Sequence, residues 1–174
     1  MSNYLKSKTL YGDTLGFLAK KRINVVGLTW VPNTAGDALT LSFFEENGLA
    51  VAQRSSLITV SSSSVITGAH DDFPSTYAAG CAAFISKVGS QDKSNEGLHL
   101  IVTAGDDDHF HTEADLVDIV DSPVAISCLS RRTFQTMFSA AKDAMQFHFD
   151  KDTWLPNLAI TSIATSGIVL VQIG

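Results

Sequence analysis

Two-residue alternation of apolar and polar side chains, interrupted by turn chemistry, dominates both ends of this chain and restricts them to antiparallel β-structure. Ala38 to Phe44 (ALTLSFF) sets Leu39, Leu41 and Phe43 on one face and Thr40 and Ser42 on the other, the spacing of a half-buried strand. Arg22 to Val31 is rich in β-branched residues and carries no charge after Arg22. Val26, Leu28 and Trp30 are expected on one of its faces, with Val25, Gly27 and Thr29 on the other. Between the two lies Pro32 to Asp37 (PNTAGD), where Pro fixes φ, Asn and Asp cap locally and Gly36 accepts a positive φ. The two strands therefore form a hairpin. Glu45 to Gly48 (EENG) is a second turn, with Asn-Gly as its signal.

The C-terminal third has the same style. Met145 to Asp150 (MQFHFD) alternates strictly, with Met145, Phe147 and Phe149 inward. Leu158 to Ile163 is a short strand, Ser166-Gly167 a turn, and Ile168 to Ile173 (IVLVQI) a closing strand. Leu28, Trp30, Leu41, Phe147, Leu158 and Val169 are expected to form one core. Arg132 to Ser139 fits two readings. It alternates as a strand, and Phe134, Met137, Phe138, Ala141 and Met145 also fall at helical spacing.

The middle, Leu49 to Ser130, is less regular. Leu57 to Val60 and Val65 to Thr67 read as short strands around a polar Ser61–Ser64 loop. Ser75 to Val88 (STYAAGCAAFISKV) reads as a helix, capped by Ser75 or Thr76 and filled with alanine. Ser90 to Gly97 is a polar loop, Leu98 to Thr103 a strand, Ala104 to Thr112 a loop and Pro123 to Leu129 a strand. Glu113 to Val120 is a short helix or another strand. Long helices do not alternate with the strands, which disfavours a doubly wound fold.

Composition limits the function classes. Of 174 residues, 45% are hydrophobic and 17% charged, against about a quarter charged in ordinary domains. Such a chain is ordered. The net charge is −6, and the densest basic run is Lys20 to Arg22, so direct nucleic-acid binding is not expected. No apolar stretch reaches the ~20 residues that span a bilayer. Met1 to Lys8 is polar, so neither an export signal nor membrane attachment is expected.

Enzyme signatures are missing from the sequence. It contains no GxSxG elbow, no phosphate-binding glycine loop and no HExxH, so no catalytic residue and no cofactor is assigned. Asp106, Asp107, Asp108, His109 and His111, followed by Glu113, form the densest polar cluster. They are expected to be a solvated acidic loop, with a weak calcium or other metal site as the alternative. His70, Asp71 and Asp72 read as a capped turn. His99 and His148 read as exposed or hydrogen-bonded strand residues. Cys81 and Cys128 lack a CxxC partner and are expected to be buried, reduced thiols. Of the two tryptophans, one is expected in the core and one half-exposed, as an aromatic anchor at a protein interface or a sugar platform. Trp154, Phe44 and Phe73 are the interface candidates.

The two ends together resemble a family. Lys21 to Phe44 reads KRINVVGLTWVPNTAGDALTLSFF, and Arg132 to Gly174 reads RTFQTMFSAAKDAMQFHFDKDTWLPNLAITSIATSGIVLVQIG. This pattern resembles the small β-sandwich virion proteins that decorate or cement the capsids of tailed bacteriophages. Gly27, Trp30, Gly36 and Asp37 match its first half; Phe149, Trp154, Leu155, Pro156, Leu158 and Gly167 match its second. A strand at Arg132 to Ser139 completes the pattern and decides that reading.

The resemblance implies a jelly-roll-like antiparallel β-sandwich and a structural, non-enzymatic role on the outside of a capsid. The protein would be made in the host cytoplasm. The implied partners are the major capsid protein and further copies of the chain, as a dimer or trimer. A head–tail adaptor or tail component is the alternative within a virion, and a carbohydrate-binding β-sandwich the alternative outside it. The departure from the family is the long middle. The chain is read as one domain, 1–174, with a core of 22–44 plus 131–174 and an elaboration or inserted subdomain at 45–130.

Overall fold

The computed structural model describes residues 8–45, 50–61, 64–68, 73, 77–87, 95–104, 108–113, 116–129, 131–149, 153–163 and 167–174. Among them every regular element is a strand. In chain order these are β1 (Lys8–Gly12), β2 (Gly16–Phe17), β3 (Ile23–Val31), β4 (Ala38–Phe43), β5 (Ala50–Ser61), β6 (Val65–Thr67), β7 (Ala82–Lys87) and β8 (Gly97–Ala104). They continue with β9 (His109–Thr112), β10 (Ile119–Leu129), β11 (Arg132–Phe138), β12 (Met145–His148), β13 (Trp154–Leu155), β14 (Leu158–Ile163) and β15 (Ile168–Ile173).

Two compact units share the chain. One joins Met1–Glu45 to Arg132–Gly174; the other is Glu46–Arg131. Each has its own apolar core. The middle closes on itself instead of extending the sheets of the sandwich, as an inserted unit rather than an elaboration of them.

The first unit is a β-sandwich. One sheet runs β1-β15-β3-β12, with β13 also paired to β3, and the other runs β11-β4-β14-β2. With the short β13 set aside, the strands of this unit in chain order alternate between sheets as first-eighth-third-sixth and second-seventh-fourth-fifth. That is the jelly-roll order, and every ladder in it is antiparallel. Leu28, Trp30, Leu41, Leu158 and Val169 meet in the core, with Phe147 packed against it.

Three bulges set which side chains enter that core. In β3, Gln172 pairs with Gly27 and the next residue, Ile173, with Val25, so Val26 is the extra residue. A bulge shifts the alternation by one. Ile23 and Val25 therefore point inward below it and Leu28 and Trp30 above it, while Val26 is only half-buried. This corrects the expected grouping of Val26 with Leu28 and Trp30. In β11, Thr133 pairs with Ser42 and Gln135 with Leu41, leaving Phe134 unpaired. Phe134 and Met137 consequently pack on the core and Phe138 is left in solvent. In β14 the break falls at Thr161. Its Oγ1 lies 2.7 Å from Ser42 Oγ, so a pair of buried hydroxyls satisfies itself.

Polar side chains fix the corners. Asp37 is buried, and its Oδ2 accepts from the Asn33 and Thr34 N–H groups at 3.0 and 2.8 Å while Oδ1 accepts from Thr34 Oγ1 at 2.7 Å. Gly36 supplies the φ of +90° that lets the turn close and donates its N–H to Ser139 O at 2.7 Å. Asn157, at φ 47°, donates Nδ2 to Phe44 O at 2.9 Å and its N–H to Lys21 O at 3.3 Å. Gly167 backs onto the core tryptophan: a Cβ there would stand 2.8 Å from Val31 O and 2.9 Å from Trp30 Nε1. Tryptophan and glycine from opposite ends of the chain are thus one packing unit.

The second unit is a closed barrel, β10-β5-β6-β9-β8-β7, sealed by the β7–β10 ladder. Its core centres on three aromatics. The Phe73 ring meets Phe110 edge-on at 4.8 Å and Tyr77 at 5.2 Å, and Tyr77 stacks on Phe110 at 5.5 Å. Tyr77 Oη donates to Ile126 O at 3.2 Å, so the phenol is buried without an orphaned hydroxyl.

The helix expected at Ser75 to Val88 does not form in the described part of that segment. Gly80 has φ +81°, the Cys81 N–H closes a turn on Ala78 O, and Ala82–Lys87 is β7. Alanines at 82 and 83 suit a helix locally. The barrel, however, needs a strand between β8 and β10, and burying Ala83 and Ile85 while Phe84 faces out follows period two. At Glu113 to Val120 the chain bends at Glu113 and enters β10 at Ile119.

The insertion sits at a point that costs each unit little. In the sandwich, β4 ends beside the start of β11, with Phe43 opposite Arg132. The Arg132 guanidinium lies 3.3 Å from Glu45 Oε1 at this exit. In the barrel, Ala50 pairs with Leu129. Both ends of each interruption are neighbours, so the insertion replaces a hairpin loop.

Candidate interaction surface

Period two also decides where the histidines of the acidic cluster point. On β9, Phe110 and Thr112 are buried while His109 and His111 are half-exposed. The two rings lie 5.9 Å apart. His109 Nδ1 sits 2.7 Å from Asp108 Oδ1, a contact local to neighbouring residues. Among the described residues, no three His, Cys, Asp or Glu side chains converge as a metal site would require. Asp106 and Asp107 lie outside the described residues, as do His70, Asp71 and Asp72. His99 is buried with Nε2 3.1 Å from Asn95 O, and a Glu113 carboxylate oxygen accepts from the Leu100 N–H. These groups hold the barrel wall.

Two of the three interface candidates are interior. Phe44 is fully buried with its ring 5.7 Å from Phe17 in an edge contact, and its N–H donates to Pro156 O. Phe73 is buried within the barrel aromatics. Both positions follow segments where alternation stops, so their side-chain direction was set by tertiary contacts. Trp154 is different. It is 47% exposed, and the Arg22 guanidinium lies over its ring at 5.5 Å from the centroid. The β13–β3 pairing of Trp154 with Asn24 positions it beside Arg22.

The structure adds residues that sequence reading passed over. Tyr11 is 58% exposed, Phe138 71% and Ile168 42%. Tyr11 and Ile168 share the outer face of the β1-β15-β3-β12 sheet. Val169 and Val171 of β15 face the core, so Ile168 and Leu170 face out. Tyr11 lies directly opposite Leu170, and Ile168 opposite Val31. Thr29 and Gln146 continue the Leu170 row across β3 and β12. None of these side chains carries a charge. The Tyr11 hydroxyl donates to Asp13 Oδ2 at 3.0 Å, and that bond with the carboxylate's charge raises the phenol above its ordinary pKa. The signal was present in IVLVQI: once Val169 and Val171 are taken as the inner set, the outer set is Ile168 and Leu170.

No protein family matches the chain, nor does any curated protein or solved structure.

The remaining reactive pair is Cys81 and Cys128. Cys128 is buried as expected, but Cys81 is only half-buried, which corrects the expectation of two buried thiols. They are hydrogen-bonded to each other. With the Cys128 thiol as donor, and with the Arg131 guanidinium nearby, Cys81 is held down to about 6 against the opposing effect of burial. Cys128 is pushed up by the same bond and by burial.

Proposed function

We propose that this chain is a structural virion protein that binds the outer surface of a tailed-phage capsid through its jelly-roll unit and stabilises the shell. The observation that carries the reading is the group of uncharged side chains, Tyr11, Leu170, Ile168 and Val31, on the outer sheet face. Such a face, continuous with the open β1 edge, suits burial against a flat protein partner by side-chain packing and strand addition. The jelly roll recurs in viral capsid and lectin domains, which is an analogy of fold and not of site. The net charge of −6 suits a protein facing away from packaged DNA. The major capsid protein is the proposed partner. A closed dimer or trimer fits a symmetric lattice, and the role needs no turnover and no cofactor.

The test is co-sedimentation of the purified chain with expanded capsids that lack it, beside free capsomers. Saturable binding to shells, with a gain in their heat resistance, is the expected result. Incorporation at one vertex or in tails would replace this reading with a head–tail adaptor or tail component. The exposed Trp154 favours a second reading, a carbohydrate-binding sandwich. Glycan binding that is lost on Trp154→Ala, with no binding to shells, would select it.

A further inference from the structure

Cys81 and Cys128 take no part in the proposed shell-binding surface, yet the fold places them together. Cys128 of β10 lies opposite Ala83 of β7. Cys81 stands two residues before Ala83, just ahead of the start of β7. Cys128 belongs to the buried apolar cluster of the barrel, and Cys81 packs against it. Diagonal neighbours across a ladder stand about 7–8 Å apart, slightly beyond the usual Cα separation of a disulfide. Cys81, however, lies outside the ladder, in the turn that its N–H closes on Ala78 O at 3.0 Å after Gly80 at φ +81°. From that turn Cys81 packs against the apolar cluster that contains Cys128, and the two thiols share a hydrogen bond.

We infer that Cys81 and Cys128 form a thiol–disulfide exchange site that takes a small-molecule disulfide and stores its oxidising equivalents as an intrachain bond. The division of labour follows exposure. Cys81 is half-buried and so partly open to solvent; Cys128 is buried. The low affinity of Cys81 for its proton, set by the Cys128 hydrogen bond and Arg131, makes it the attacking thiolate at neutral pH.

With glutathione disulfide, the Cys81 thiolate attacks one sulfur. A protein–glutathione S–S bond forms, the glutathione S–S bond breaks, and one glutathione thiolate leaves and takes a proton from water. Cys128 then gives up its proton, attacks the Cys81 sulfur and expels the second glutathione. Two protein thiols are oxidised, one glutathione disulfide is reduced to two thiols, and the atoms balance. The new bond would tie the turn before β7 to β10, at the end of the ladder that seals the barrel.

The experiment treats the full reduced chain with glutathione disulfide at neutral pH and reads intact mass, free thiols and non-reducing electrophoresis. The expected product has lost two hydrogens, titrates no thiols, remains a single chain and yields a peptide joining Cys81 to Cys128. Its barrel unfolds at a higher temperature than that of the reduced form. Cys128→Ser should stop at a stable glutathione adduct on Cys81, and Cys81→Ser should stay unreacted. Persistence of both thiols, a lasting glutathione adduct on the unmodified sequence, or cross-links between chains would each overturn the inference. These readouts use the unmodified chain first, so a poorly folding variant does not decide the outcome.

Discussion

The sandwich and the barrel solve the same problem, burying one face of antiparallel strands, with opposite treatment of edges. The barrel closes through β7 and β10 and leaves no edge. In the sandwich, β1, β12, β11 and β2 end their sheets. An open edge offers unpaired backbone groups to a neighbour, and a closed barrel does not. Their cores differ as well. The sandwich packs aliphatic residues and Trp30 between two sheets, with bulges adjusting each strand. The barrel interior is organised around Phe73, Tyr77 and Phe110. The lesson is that addition of a partner strand belongs to the sandwich, while the barrel can offer only faces, such as the one carrying the 42% exposed Phe84.

The sharpest way to break this comparison is to empty each core in turn. Trp30 and Phe110 are both fully buried, and truncating either to alanine should cost about 3–5 kcal/mol. Scanning calorimetry should show Trp30→Ala lowering only the sandwich transition and Phe110→Ala only that of the barrel. Movement of both transitions together would show that the two cores unfold as one cooperative unit.

Smaller effects should follow at the corners of the sandwich. Gly167→Ala forces a Cβ to within 2.8 Å of Val31 O, and such overpacking costs about 1–3 kcal/mol. Asp37→Ala removes the acceptor for two backbone N–H groups and one hydroxyl, a loss of about 1–3 kcal/mol. Chemical denaturation of each variant checks both values, and neither should change the barrel.

Surface changes should separate stability from binding. Trp154→Ala and Ile168→Glu alter exposed positions, so each should stay within about 1 kcal/mol of the parent. On the proposed function, Ile168→Glu should abolish shell co-sedimentation, whereas a charged residue at Phe84 of the barrel should leave it intact. Equal loss from both would place the contact on both units. The mildest probe leaves stability alone. Alkylation of Cys81 by iodoacetamide should rise with pH and reach half its limiting rate near 6, where its thiol ionises, rather than near the ordinary 9.0.

How far the sequence could be read depends on the distance between the residues involved. The Pro32–Asp37 turn was legible because the Asp37 carboxylate accepts from its near neighbours Asn33 and Thr34. The strands β3, β4, β12, β14 and β15 were legible for the same reason: alternation and turn residues are local. Their pairing was not: β3 and β4 were expected to form a hairpin, but they lie in opposite sheets, so the Pro32–Asp37 turn carries the chain from one sheet to the other. Val26 was misplaced because its bulge exists only in the pairing with β15. Phe44 and Phe73 were offered as interface residues because an aromatic at the end of a pattern carries no sign of what covers it.

By itself, then, the sequence determined antiparallel β-structure, the turn chemistry and a core drawn from both ends of the chain. Those properties rest on steric preferences and side-chain periods of a few residues. Only the tertiary structure decided that Ala82–Lys87 is a strand, that the middle closes into a barrel and that Cys81 meets Cys128. Each of these depends on a hydrogen-bonded partner far away in the chain, and β-pairing supplies its register only when both strands are in place.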